Sequence, residues 1–227
     1  MKDGFIQAFR KGNAITRLSA IILGLGNLAG KQIIKGILYL AMEVSFICFM
    51  IFKGMNCLAM LPSLGGREQQ EIWNEKLGVY EYVAGDNSLL ILLYGVATIF
   101  LIAAYVVLVM SSVKSAYNVQ SRLALGKHIN TFVEDVKSLF NENLHKLLLT
   151  LPVGGVLIFT ILPLIFMISM AFTNYSKVDS HLVLFDWVGL ENFKQLFDSG
   201  SSIGHSFWSV LGWTIIWAIF ATGLNYI

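Results

Sequence analysis

The run LLILLYGVATIFLIAAYVVLVM, Leu89–Met110, decides the fold. It holds no charged residue. At a helical rise of ~1.5 Å per residue it extends about 33 Å, enough to cross a hydrocarbon layer roughly 30 Å thick. Hydrocarbon offers no partner to an unpaired N–H or C=O, so such a run must be helical. Three further stretches qualify: Ile33–Phe52, Leu147–Phe172 and Ser206–Ile227. The ten-residue alternation of a membrane barrel is absent. The expected class is therefore all-α: a polytopic integral membrane protein with four transmembrane helices in a lipid bilayer.

Composition agrees. Hydrophobic residues make up 56% of the chain and charged ones 13%, with a mean hydropathy of +0.69. A soluble domain is nearer a quarter charged. A net charge of +2 gives no electrostatic footprint for nucleic acid. Two cysteines, Cys48 and Cys57, make neither a disulfide scaffold nor a four-cysteine zinc site.

Charge in the loops sets the direction. The first 32 residues carry five basic side chains, loop 53–88 three, loop 111–146 five and loop 173–205 only Lys177 and Lys194. That alternation predicts a cytoplasmic amino terminus by the positive-inside rule. The first apolar run starts too far in, and is too long, for a cleaved signal peptide. The expected organisation is a cytoplasmic segment 1–32 and two helices in 33–146, with outer loop 53–88 and inner loop 111–146. A last part, 147–227, holds helices three and four and outer loop 173–205.

Ala14, Leu18, Ile21, Ile22, Leu25 and Leu28 recur at helical spacing and predict a short interfacial helix over 14–28. In the inner loop, Thr131-Phe132-Val133-Glu134 has capping-box spacing. Phe132, Val136, Leu139, Phe140 and Leu144 follow at steps of three and four, predicting an amphipathic cytoplasmic helix packed on the protein. Pro152 and Pro163 lie inside the third span, where each removes a donor and tends to kink the helix.

Few groups could carry chemistry. Gly24-Leu25-Gly26-Asn27-Leu28-Ala29 matches G-x-G-x-x-A, but no strand–turn–helix unit surrounds it. Small residues there fit a close turn into the first span better than a nucleotide. Glu43 is the one acid inside a span. A lone carboxylate in mid-bilayer costs at least a few kcal/mol, so it must face protein or water. An interhelical hydrogen bond is the expected use, and a proton or substrate pathway the other. Lys35, eight positions earlier, is about 12 Å away along the axis, too far to pair with it. The histidines show no ligand spacing, and no catalytic, cofactor or metal set emerges. In the last outer loop Tyr175, Phe185, Trp187 and Phe193 interleave with Asp179, Asp186, Glu191 and Asp198. Such aromatics are either a membrane belt or a docking surface.

The segments Leu151-Pro152 to Pro163-Leu164-Ile165-Phe166, Ala171-Phe172-Thr173-Asn174-Tyr175 and Leu184-Phe185-Asp186-Trp187-Val188-Gly189-Leu190-Glu191-Asn192-Phe193 resemble permease subunits of binding-protein-dependent ABC sugar importers. The likeness is to the larger permease subunit of the maltose/maltodextrin branch. Gly85-Asp86-Asn87-Ser88 and Lys35-Gly36-Ile37-Leu38-Tyr39-Leu40 also look like this group. The resemblance implies a second permease subunit, a cytoplasmic ATPase dimer and an extracytoplasmic sugar-binding protein as partners, in a bacterial cytoplasmic membrane. It also implies that the two helices in 33–146 are accessory, that 147–227 is the incomplete start of the permease core, and that this chain carries no cofactor and no catalysis. Asn174, Tyr175, Asp186, Trp187, Glu191 and Asn192 become the candidate docking residues for the binding protein. The family's Glu-Ala-Ala coupling loop does not occur, so the chain is expected to be a permease truncated on its carboxy-terminal side. The alternative from the residues is a non-transporting four-span anchor or assembly protein.

Overall fold

A computed structural model describes residues 4–68, 70–75, 77–175, 177–178, 181–182, 184–198 and 202–226. The chain divides into two units, Met1–Leu61 with Leu93–Ile165, and Pro62–Leu92 with Phe166–Ile227. Four helical runs are long and apolar enough to cross a membrane: Ile33–Met60, Ser88–Ala124, Leu144–Met170 and Gly204–Tyr226. All four match an expected span, with different ends.

The first unit opens with three short helices, α1 (Phe5–Lys11), α2 (Ala14–Leu18) and α3 (Leu25–Ala29). Asn13 caps α2, its Oδ1 accepting from the Thr16 N–H at 2.9 Å. The single interfacial helix expected over 14–28 is thus two helices around a turn. The apolar stripe exists, but Leu18, Ile21 and Ile22 are exposed, while Thr16, Ser19, Leu23 and Asn27 are buried. In a bilayer the solvent is apolar, so polar and small residues turn toward protein and the apolar face turns outward.

The first span runs as α4 (Ile33–Phe49), a widened π-type turn over Met50–Gly54, and α5 (Met55–Met60). Expectation ended it at Phe52, before the Lys53 charge. The helix continues because the Lys53 ammonium sits 3.9 Å over the Tyr94 ring, a contact that offsets part of its desolvation. The second span, α6 (Ser88–Ala124), is 37 residues, about 55 Å at helical rise. It passes the expected end at Met110 by 14 residues, so the first part of inner loop 111–146 is helix.

Thr131 and Glu134 form the expected capping box at α7 (Phe132–Phe140). The Thr131 N–H donates to Glu134 Oε2 at 2.7 Å, and the Glu134 N–H to Thr131 Oγ1 at 3.4 Å. The pattern then breaks. Asn141 leaves helical geometry, and Leu144 starts the next helix, α8 (Leu144–Val156). A second π-type turn, Leu157–Ile161, leads into α9 (Leu162–Met170). Pro152 lies within α8, and Pro163 is the second residue of α9. The Leu162 N–H bonds back to the Leu157 carbonyl across the wide turn. The helix is therefore loosened just before the ring that cannot donate.

In the second unit, β1 (Gln70–Asn74) and β2 (Val79–Val83) form an antiparallel hairpin between the first and second spans. Trp73 and Tyr80 pair across it with ring centroids 5.0 Å apart. No sequence expectation covered this hairpin. Two-residue strands β3 (Lys177–Val178) and β4 (His181–Leu182) pair between the third and fourth spans. The helices α10 (Glu191–Phe197) and α11 (Ser202–Tyr226) follow. Asp179 and Ile227, named in the expectations, lie outside the described residues.

Candidate functional site

The segment between the third and fourth spans carries the docking candidates. Thr173 and Trp187 face each other as an isolated antiparallel bridge. Around it the Asn174 N–H donates to the Asp186 carbonyl at 3.1 Å and the Val188 N–H to the Phe172 carbonyl at 2.8 Å. Side chains complete the clasp. Asn174 Oδ1 accepts from the Asp186 N–H at 2.7 Å. Asn192 Nδ2 donates to the carbonyls of Ala171 and Thr173 at 2.9 and 2.7 Å. Tyr175 meets Phe185 edge-on at 5.3 Å, and Phe172 packs on Phe193 at 5.3 Å.

The six candidates therefore divide. Asn174 and Asn192 use their amides to hold this loop together. Asp186, Trp187 and Glu191 are exposed, with the Glu191 carboxylate on Lys194 at 2.8 Å. Tyr175 shows part of its ring beside buried Phe185. What remains on the surface is one aromatic ring system beside two acids.

Gly85–Ser88 also acquires a physical reason. Asp86 Oδ2 accepts from the Gly66 and Arg67 N–H groups, each at 3.1 Å, and Oδ1 from the Arg67 guanidinium at 3.1 Å. These donors, the two backbone N–H groups first, hold the Asp86 carboxyl below the usual carboxylate range. Asn87 caps α6 by accepting from the Leu90 N–H at 3.1 Å. Ser88 Oγ accepts from the Phe185 N–H at 3.2 Å, tying the start of α6 to the segment that holds the docking candidates, within the same unit. The motif was visible in sequence, but its partners were not.

In the first unit the amino-terminal segment is inserted against α4 and α6. Glu43 is buried. Its Oε2 accepts from the buried Leu23 N–H at 2.9 Å, and its Oε1 from the Tyr105 hydroxyl at 3.4 Å. One residue on, the Gly24 N–H donates to Ser112 Oγ at 2.9 Å. Ser112 in turn donates to the Ser19 carbonyl at 3.2 Å. Asn27 Nδ2 reaches Gln32 Oε1 at 2.7 Å and Ser115 Oγ at 2.8 Å. Thus the turn between α2 and α3, which lacks a full helical ladder, has its donors met by side chains of the spans. Such backbone survives at membrane depth only when protein satisfies it.

Close approach explains the G-x-G-x-x-A run. Gly24 is left-handed, φ +81, and a Cβ there would overlap the Gly36 carbonyl. A Cβ on Gly26 would overlap Ala116, and one on Gly30 would overlap Val119. The segment is a small-residue seam between helices. Lys35 instead pairs with Asp135 of α7 at 2.9 Å.

No family model matches the chain, and no solved structure matches it. Among curated proteins it is 32% identical over 214 residues to the maltodextrin transport system permease protein MalC of Streptococcus pneumoniae. It is 30% identical over 214 residues to the maltodextrin transport system permease protein MdxF of Bacillus subtilis. It is 29% identical over 222 residues to the galactooligosaccharides transport system permease protein GanP of Bacillus subtilis. These alignments take in 92–93% of the chain and 45–47% of the relatives, so the chain spans about half the length of the curated relatives it matches. With four helices able to cross a membrane, the chain is similar over nine-tenths of its length to permease proteins of maltodextrin and galactooligosaccharide transport systems.

Proposed function

We propose that the chain forms part of the translocation pathway of an ATP-driven carbohydrate importer, with malto-oligosaccharide-like sugars as substrate. The carrying observation is the 32% identity to a maltodextrin permease over 92% of the chain, beside four helices able to cross a membrane. It sits in the plasma membrane as a multi-pass protein with its amino terminus in the cytoplasm. The loop charges support that direction. ATP is hydrolysed in a separate cytoplasmic ATPase dimer, and a second permease subunit completes the pathway.

An extracytoplasmic sugar-binding protein docks on the last outer loop. Asp186, Trp187 and Glu191 supply the contact surface, Tyr175 borders it, and Asn174 and Asn192 hold the loop in shape. Glu43 serves as an internal hydrogen-bond acceptor, and Pro152 and Pro163 mark where the third span can bend. The most apolar stretches of the third and fourth spans are unburied among the described residues, and lipid or neighbouring helices cover them in the membrane.

The test is sugar-dependent uptake into cells carrying Asp186→Lys and Glu191→Lys in the gene. Weakened uptake with normal membrane levels supports docking on this loop, and unchanged uptake removes the docking assignment. Pull-down of an ATPase chain tests the wider assignment, and its absence from intact membranes counts against an importer.

A further inference from the structure

Two adjoining clefts open on the first unit where the basic end of α4 meets the polar extension of α6. The larger, about 380 Å³, is walled by Lys35, Tyr39, Ser111 and Lys114, with apolar Val107 and Met110 on one side. The smaller, about 240 Å³, continues past Ser115 and Asn118 to Arg122 and Asp135. Lys35, Ser115 and Asn118 line both.

The charges do not balance. The lining holds three cations, Lys35, Lys114 and Arg122, and one acid, Asp135. Asp135 is taken by Lys35 at 2.9 Å. Among the described residues Arg122 bonds neutral acceptors, the His128 carbonyl at 3.2 Å and Asn130 Oδ1 at 2.7 Å. Lys114 is exposed and has no protein partner among the described residues. Tyr39 and Ser111 share a hydrogen bond of 2.9 Å at the rim, leaving a hydroxyl able to donate further. The lining is therefore two positive charges in excess, with neutral donors around them.

We propose that this cleft binds the phosphodiester headgroup of an anionic phospholipid, with Lys114 and Arg122 as its cationic contacts. The position selects lipid over a free anion. The cleft lies at a span end, between apolar Val107 and Met110, which can take an acyl chain, and lysines that can take the phosphate. Basic pockets between spans on the cytoplasmic side are suited to such headgroups. The larger cleft has the share of liquid volume of roughly a dozen waters, enough for a glycerophosphate. This site is independent of sugar passage, so it can stand or fall without the importer assignment.

The experiment is native mass spectrometry of the purified chain in micelles titrated with phosphatidylglycerol or phosphatidylcholine. One phosphatidylglycerol per chain should be retained in preference to phosphatidylcholine. Lys114→Ala should weaken its binding about fivefold, the effect of one lysine near an anionic surface. Lys127→Ala removes an equal charge outside the cleft, and should leave binding unchanged. Equal weakening by both variants would overturn the site in favour of diffuse attraction. Retention of phosphatidylcholine to the same extent would overturn it too. Water-soluble glycerol phosphate displacing the lipid at equal concentration would overturn the choice of lipid.

Discussion

Replacing Glu43 separates a structural acceptor from a functional charge. Its Oε2 is the acceptor for the Leu23 N–H at 2.9 Å, and both groups are buried. Glu43→Ala leaves that donor with no acceptor where water does not reach. A stranded buried donor costs ~1–3 kcal/mol. The Tyr105 hydroxyl, 3.4 Å from Oε1, also loses its carboxylate partner, at a smaller cost because that bond is long. Glu43→Gln keeps a carbonyl oxygen for the Leu23 N–H. It loses the ionic strengthening of the bond, about 1 kcal/mol, but also removes the cost of a carboxylate at membrane depth. Expected order of stability in SDS titration from micelles is therefore wild type close to Gln, with Ala lower by ~1–3 kcal/mol. Hydrogen exchange supplies a local readout. Amides of residues 19–28 should lose protection in Glu43→Ala and keep it in Glu43→Gln. If alanine leaves both stability and protection unchanged, Glu43 is not the acceptor that seats the turn. If glutamine is as damaging as alanine, the negative charge itself matters and the acceptor account is wrong.

Other outcomes follow from neighbouring geometry. Gly30→Ala should destabilise the first unit by ~1–3 kcal/mol through overpacking on Val119, with recovery in Gly30→Ala/Val119→Ala; a thermal melt with no recovery would count against that contact. Thr131→Ala should cost ~1 kcal/mol and lower the helicity of α7 by circular dichroism, because it removes one half of the capping box. Asp86 has a folded pKa below its unfolded value near 3.9, so its contribution is complete above about pH 4 and is lost as pH falls through the folded pKa. Trp73 fluorescence should accordingly hold steady from pH 7 to about 5 and change only in stronger acid, with Asp86→Asn abolishing that part of the change. A transition near pH 6 would assign the acid response to another group.

The spans were legible because Leu89–Met110 and its three counterparts are apolar over a membrane's thickness, a signal that needs no partner. Their ends were less so. Lys53 looked like a terminus because the Tyr94 ring that receives it lies 41 positions away. Ser111–Ala124 looked like loop because its serines and amides are polar, although Ser112, Ser115 and Gln120 spend that polarity on the inserted segment. That segment shows the same limit. Helical spacing located the stripe Leu18, Ile21 and Ile22, but periodicity does not say whether the surroundings of a stripe are core or lipid. Thr131 was readable as a cap because its partner is three residues away. At the docking loop the residue types suggested an interface, whereas the use of Asn174 and Asn192 as internal ties depends on how residues 171–192 fold back on themselves.

The central claim is that the chain works in carbohydrate import. Its most direct test is uptake of labelled sugars by cells in which the gene encoding the chain is deleted, across maltodextrins, galacto-oligosaccharides and unrelated sugars. Loss of maltodextrin uptake, restored by the intact gene, is the predicted result. Unchanged uptake of every sugar, with the other importers of the cell accounted for, would contradict the account.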